Sequence, residues 1–311
     1  MPPQVIRVST ENEVFRHLEL LKKSQNTRRR FRECFVEGVK AITQVRHHRW
    51  PVRSLVYAAG RTLSPWARDT LDATPAAKHV ELSAPLMERL SDKHQPSELI
   101  AIVAMPPDAP DRIKPQADML VAVLDRPASP GNLGSIIRSC HALGADGLIV
   151  TGHGTDVYNP LTIRASMGSL FALPTIRLAS HREVGRWVGD VAAARPPRQR
   201  LRRIQVVGAT GDATLPVDAV DLTQPTVLVL GNEAQGLAAG YRELCDVLVR
   251  IPMHRDADSI NVACAAAILL YETDRQRRPR GRKLKRLSDP SRRDRSRPAA
   301  GHRQPPGLTG P

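Results

Sequence analysis

Between residues 119 and 275 the sequence repeats one pattern, a short run of β-branched residues and leucine followed by a stretch with apolar residues at helical spacing. The runs fall at 120–124, 147–151, 204–208, 226–230 and 247–251. Strands that alternate with helices pair in parallel, because each crossover helix returns the chain to the same end of the sheet and covers one face. The region is therefore expected to be α/β, a mostly parallel sheet with helices on both faces.

The first hundred residues carry a smaller pattern. Val14, Leu18 and Leu21 stand at helical spacing within 11–23, and a short apolar stretch ends at Phe35-Val36-Glu37-Gly38. Strands are expected at 55–58 and 99–104 and helices at 65–71 and 84–90, which makes a small α/β domain over 5–105. Residues 106–115 hold four prolines, a composition that suits an extended linker over 106–116. The larger domain then occupies 117–275. Past Arg275 apolar periodicity stops, and 276–311 is expected to be a disordered tail.

The formal charge of +15 points to an anionic partner. From Arg275 to the end there are 13 Lys and Arg against two acidic residues, so most of the excess sits in the tail. Aromatic residues make up 4%, too few for a platform that stacks bases. Cys34, Cys140, Cys245 and Cys264 are widely spaced and read as reduced core thiols, with neither a zinc pattern nor a disulfide framework. The N-terminus has no apolar signal core, and the apolar run at 262–271 is too short to span a bilayer. A cytoplasmic protein without membrane or metal is expected.

Three strand-to-helix junctions carry candidate chemistry. In the first, Asn132-Leu-Gly-Ser-Ile-Ile-Arg138, the residues Leu133, Ile136, Ile137 and Cys140 form one buried stripe. Arg138 falls about 100° from Ile137 and faces solvent or ligand. Taken alone, this segment reads first as a helix capped by Asn132 with a solvated Arg138. The second, Val227 to Leu237, runs a buried strand into a turn bracketed by Gly231 and Gly236, with Asn232 and Glu233 placed to cap the helix that follows. The third passes from Ile251-Pro-Met253 through a polar loop to a small-residue helix, with Asp258 or Ser259 as its cap. Gly152-His-Gly154 lacks the third glycine of a dinucleotide fingerprint.

In this order and at these junctions, the segments resemble the three motifs of the SpoU/TrmH ribose methyltransferases of the SPOUT superfamily. They are Asn132 to Arg138, Gly231-Asn-Glu233 to Gly236-Leu237, and Ile251-Pro-Met253 to Ser259-Ile-Asn261. The stretch Arg164-Ala-Ser-Met-Gly168-Ser-Leu-Phe171 is similar to one the family carries between its first two motifs. The basic helix of the first domain, with Arg28, Arg29 and Arg30, is similar to the small substrate-binding domain that often precedes the catalytic one. Two positions depart from the pattern: Arg255 stands where the family usually has glycine, and Ile260 replaces leucine.

The resemblance implies a C-terminal deep trefoil knot and transfer of a methyl group from S-adenosylmethionine to a ribose 2′-hydroxyl of ribosomal or transfer RNA. It implies Arg138, Asn132, Glu233, Ser259 and Asn261 as catalytic residues. Gly231, Ile251, Ile260, Leu230 and Met253 would hold the cofactor; Arg28, Arg29, Arg30 and Arg164 would hold RNA. A homodimer that completes each active site is implied, with 262–270 as a candidate contact surface, and the tail would strengthen RNA binding through phosphate neutralisation. Because a guanidinium is a poor base, Arg138 is assigned to hold a phosphate in its fork and stabilise the developing alkoxide. The rival expectation is a non-catalytic RNA-binding protein on a methyltransferase scaffold.

Overall fold

The computed structural model describes residues 3–91, 96–196, 198, 202–254, 256 and 259–278. The basic tail from residue 279 onward, and Arg255 and Asp258 in the third junction, lie outside the described residues.

The runs of valine, leucine and isoleucine form the middle of a seven-stranded sheet. In chain order its strands are β6 (Leu120–Asp125), β7 (Gly147–Thr151), β8 (Thr175–Leu178), β9 (Gln205–Ala209), β10 (Leu215–Pro216), β11 (Thr226–Leu230) and β12 (Val247–Arg250). Their spatial order is β10-β12-β9-β11-β6-β7-β8, and every pairing is parallel. The chain fills one half, β6 to β8, and then the other, so the order reverses between β6 and β11. Open parallel sheets place ligands at such a switch point, outside the carboxyl ends of the strands.

Three helices bear on that edge: α6 (Pro130–Ala142), α7 (Pro160–Ala165) and α10 (Val262–Arg277). Ser129, not Asn132, caps α6 by accepting from the Asn132 amide, and Pro130 opens the first turn. A Cβ at Gly134 would stand 2.5 Å from the Ala165 side chain and the Thr162 carbonyl; the missing side chain lets α6 and α7 pack closely. Helix α10 runs on to Arg277, beyond the expected start of the tail. Arg277 donates to the carbonyls of Leu222 (2.9 Å), Gln224 (2.6 Å), Met119 (3.3 Å) and Asp118. The helices α8 (His181–Ala194) and α9 (Ala239–Leu244) cover the other face.

The N-terminal region is a five-stranded mixed sheet, ordered β1-β4-β3-β5-β2, from β1 (Gln4–Val8), β2 (Glu33–Glu37), β3 (Val52–Ala58), β4 (Ala76–Leu82) and β5 (Ile100–Ala104). Helices α1 (Glu13–Lys23), α2 (Gln25–Phe31), α3 (Val39–His47), α4 (Pro65–Ala73) and α5 (Ala84–Leu90) surround it. A single apolar cluster runs from Val36, Ile42 and Val45 through Phe171 and Leu170 to Leu133 and Leu270, so the two sheets share a core. Three polar contacts fix the junction. Trp50 Nε1 donates to the Phe171 carbonyl at 2.9 Å, Arg164 pairs with Glu37 at 3.5 Å, and Arg28 pairs with Asp156 at 2.7 Å. Gly168, at φ +90°, lies where a Cβ would press on Gln44 and the Lys40 carbonyl of α3. The Arg164–Phe171 stretch is thus the docking surface of the N-terminal sheet.

The proline-rich segment is no loose spacer. Ile113 is buried, Arg112 donates to the Thr175 carbonyl at 2.8 Å, and Asp108 accepts from the Arg177 amide at 3.1 Å. Cys34 and Cys140 are core thiols as expected, but Cys245 is only partly covered and Cys264 is exposed on the outward side of α10. Among the described residues no helix is long and apolar enough to cross a membrane.

Candidate functional site

The turn after β11 is built around Gly231. Asn232 and Gly236 exchange backbone hydrogen bonds of 2.9 Å, and Asn232 Oδ1 accepts from the amides of Ala234 and Gln235. A Cβ at Gly231 would lie 2.2 Å from the Gly236 carbonyl carbon, while Gly236 itself takes φ +65° with open space around it. The first glycine is required by close approach, the second by conformation. Asn232 Nδ2 then donates to the Arg126 carbonyl at 2.7 Å, tying the turn to the end of β6.

This geometry sends Glu233 to a different helix from the one expected. Its carboxylate accepts from the amides of Ala128 (2.9 Å) and Ser129 (3.2 Å) at the start of α6, and from Asn132 Nδ2 (3.2 Å). Burial alone would raise its carboxyl, but the donors at Ala128, its own amide, Asn132 and Ser129 outweigh it and hold the group below the usual carboxylate range. Asn132 Oδ1 in turn accepts from Asn261 Nδ2 at 3.0 Å. Asn261, rather than Ser259, caps α10, accepting from the amides of Ala263 (2.8 Å) and Cys264 (3.3 Å). One hydrogen-bonded line, Glu233 to Asn132 to Asn261, joins all three junctions.

Beside this line is a cleft of about 230 Å³. Leu230, Gly231, Ile251, Met253 and Ile260 all line it, together with Glu233 and Ser259. Its walls are mostly apolar side chains and glycine backbone, with a few polar groups among them, the lining that suits a flat heteroaromatic ring held by shape. Thr210 and Gly211, at the end of β9, also line it. They were absent from the sequence-based set, although a buried strand running into Ala209-Thr-Gly211 at the sheet's carboxyl edge was a usable signal. A larger cavity of about 830 Å³ beside Arg46, His47 and Trp50 contains none of the motif residues.

The structure separates the remaining candidates. Arg138 is exposed on α6 and is not among the residues that line the cleft. Arg28 is only 2% exposed; it is locked to Asp156 and donates to the carbonyls of Leu21 and Lys22. It therefore leaves the RNA-binding set, because the helical turn of α2 points it into the junction of the two sheets. Arg164 is engaged by Glu37 in the same junction. Arg29 and Arg30 stay exposed. Among the described residues no group of His, Cys, Asp and Glu is arranged to hold a metal ion.

Comparison with known proteins places this architecture. Residues 119–271 match the model of the SpoU rRNA Methylase family, and residues 12–101 match that of the SpoU L30e-like domain. The chain is 44% identical over 276 residues to a 23S rRNA (uridine(2479)-2′-O)-methyltransferase of Streptomyces viridochromogenes, covering 88% of this chain and 94% of that protein. A 23S rRNA (guanosine(2553)-2′-O)-methyltransferase of Bacillus subtilis is 30% identical over 61% of this chain and 70% of its own length. Among solved structures, the S. viridochromogenes SpoU methyltransferase AviRb in complex with AdoMet superposes with a TM-score of 0.81 at 44% identity, over 86% of this chain and 98% of that one. An AdoMet-bound rRNA methyltransferase from Sinorhizobium meliloti gives a TM-score of 0.75 at 29% identity, over 88% and 98% of the two chains.

Proposed function

The chain belongs to the SpoU rRNA methylase family, and on that premise we propose that it transfers a methyl group from S-adenosylmethionine to a ribose 2′-hydroxyl of 23S ribosomal RNA in the cytoplasm. The observation that carries this reading is the line Glu233–Asn132–Asn261, whose Glu233 end lines the cleft that contains all five expected cofactor residues. When bound there, the cofactor supplies a sulfonium methyl that needs no metal and no acid for its leaving group. Leu230, Ile251 and Ile260 would hold its adenine face, and Gly231 would let it approach the turn. Asn132 and Asn261, fixed by their mutual bond, position the reacting hydroxyl, and holding reactants in line supplies much of the rate in such a transfer. Family membership implies that the C-terminal segment is threaded as a trefoil knot, which would clamp the third junction against the second.

Arg138 would bind the neighbouring phosphate and stabilise the alkoxide. Its absence from the cleft's lining supports a shared site, in which a homodimer brings Arg138 of one subunit to the cleft of the other. The surface for such pairing is at hand: Cys264, Ile268 and Tyr271 form an exposed stripe at i, i+4 and i+7 on α10, with Ile268 42% and Tyr271 52% exposed. Mixing inactive Arg138→Lys and Glu233→Gln proteins should then restore roughly a quarter of wild-type activity through one intact site per mixed dimer. A mixture as inactive as its parents would refute the shared site. Transfer of labelled methyl to 23S ribosomal RNA tests the whole reading, and binding without transfer would favour an RNA-binding scaffold.

A further inference from the structure

A second cleft, of about 550 Å³, opens between α2 and the loops that follow β6 and β7. Arg29, Arg126, Arg177 and His153 line it, with Gln25 and Gln235 as neutral neighbours. No Phe, Tyr or Trp is part of its lining, so its character is set by charge and hydrogen-bond donors rather than by an aromatic platform. Its chemistry is that of a site for an anion.

The arginines come from three separate elements. Arg29 is exposed on α2. Arg177 projects from β8, half-buried, and donates to the carbonyls of Gly152 (3.1 Å) and Thr155 (3.5 Å). Burial, and after it the like charge of Arg29, push its guanidinium below the ordinary arginine range, with Asp156 and Asp108 acting in the opposite sense. Two cations held close in this way are relieved by an anion between them. Arg126 adopts φ +48°, the left-handed region that non-glycine residues seldom occupy. It pairs with Asp125 at 3.0 Å and donates to Gln235 at 2.6 Å.

The nearby carboxylates are already engaged. Asp125 is held by Arg126, Asp156 by the buried Arg28, and Asp108 by the Arg177 amide. The cleft also shares its walls with the catalytic line: Ala128, which borders it, donates to Glu233, and Asn232 and Gln235 flank Glu233 in the turn.

We propose that this cleft binds a backbone phosphate of the substrate RNA next to the target nucleotide, with Arg29 and Arg177 as its ligands and Arg126 linking it to the Glu233 turn. The assignment rests on the reading of the chain as an RNA methyltransferase. Guanidinium forks match phosphate oxygens, and such contacts set the register of RNA on a protein without reading its sequence. Occupancy of the cleft would be felt at Glu233 through Gln235 and Ala128, so the site serves positioning as well as affinity.

The test compares Arg29→Ala, Arg29→Lys and Arg7→Ala in the full-length protein. Arg7 sits on β1, at the edge of the N-terminal sheet opposite β2, in an exposed pair with Glu81. Each alanine variant removes one surface cation. Binding to 23S ribosomal RNA is measured across salt, alongside S-adenosylmethionine affinity. Arg29→Ala is expected to weaken RNA binding by about tenfold and reduce the salt slope by roughly one, with cofactor affinity unchanged. Arg29→Lys should regain most of the binding, and Arg7→Ala should match wild type. Equal affinity and slope for Arg29→Ala and Arg7→Ala would overturn the phosphate site. Should wild-type protein bind RNA yet transfer no methyl, the methyltransferase reading fails, while the slopes still decide whether the cleft holds phosphate.

Discussion

Asn261 Nδ2 donates to Asn132 Oδ1 at 3.0 Å, across 129 positions of sequence. The bond holds the first turn of α10 against the first turn of α6, and Glu233 completes the line from the turn after β11. Both ends of the line also fix helix starts: Asn261 caps α10, and Glu233 accepts from the Ala128 and Ser129 amides that lead into α6. Stability and positioning therefore share the same side chains, and well-chosen variants can separate them.

Asn261→Ala removes both the cap and the bond to Asn132. It should lower stability by about 1 kcal/mol, the usual loss for an N-cap, and reduce methyl transfer at least tenfold, as expected for a lost positioning contact. Asn261→Asp retains an acceptor for the cap but has no donor for Asn132. Thermal unfolding should show Asp close to wild type, whereas single-turnover rates should place it with Ala. Full activity in Asn261→Asp would show that the bond has no part in the reaction.

The two glycines of the turn should behave differently. Gly236→Ala meets no neighbour and strains only a positive φ, a penalty of roughly 1 kcal/mol. Gly231→Ala drives a methyl group into the Gly236 backbone, so the turn must open. Calorimetry should find cofactor binding lost in Gly231→Ala and reduced at most a few-fold in Gly236→Ala, by conversion of that energy. Equal binding in the two variants would contradict the close-approach argument.

Arg28→Ala should damage the fold and leave RNA chemistry untouched in whatever protein remains folded. It strands Asp156 in the junction between the sheets, and loss of one partner of a buried pair is destabilising by about 3–5 kcal/mol. Denaturant titration should show the transition moved to much lower denaturant. A loss of RNA affinity at unchanged stability would return Arg28 to the substrate-binding set.

Glu233 gives a prediction in pH. Its carboxyl lies below the usual range in the folded protein, so its stabilising effect is complete above the unfolded-state value near 4.5 and is lost as pH falls through the lower folded value. Glu233→Gln should therefore be less stable than wild type at pH 7, and the difference should shrink as pH falls below about 4.5 and close once pH has passed below the lower folded value. Melting temperatures of both proteins across pH 3–8, a window of about five units, check this. A constant gap would mean that the charge plays no part in holding the turn to α6.

Much of this was legible because buried strands announce themselves. Val121, Val227 and their neighbours lie in continuous apolar runs, and the three junctions follow directly. β1 and β8 were hidden because Arg7 and Arg177 break their apolar pattern, and β10 has only two residues. The run Arg28-Arg29-Arg30 looks uniform in sequence, yet helical rotation sends Arg28 inward to a carboxylate 128 positions away and leaves Arg29 at a cleft. No local pattern encodes that partner. The same limit applies to Glu233: a cap was expected, but on the following helix, since which helix approaches a turn depends on sheet order.

The most direct test of the proposed reaction is the chemical position of the methyl group. Purified protein is incubated with methyl-labelled S-adenosylmethionine and 23S ribosomal RNA, and the RNA is then hydrolysed in alkali, which cleaves only where a free 2′-hydroxyl adjoins the phosphate. Wild-type protein should leave label in alkali-resistant dinucleotides, and Arg138→Lys should lose it by at least roughly 100-fold, the scale for removing a preorganised electrostatic donor. Label in mononucleotides, marking a base as the acceptor, or no transfer to RNA at all, would contradict ribose methylation.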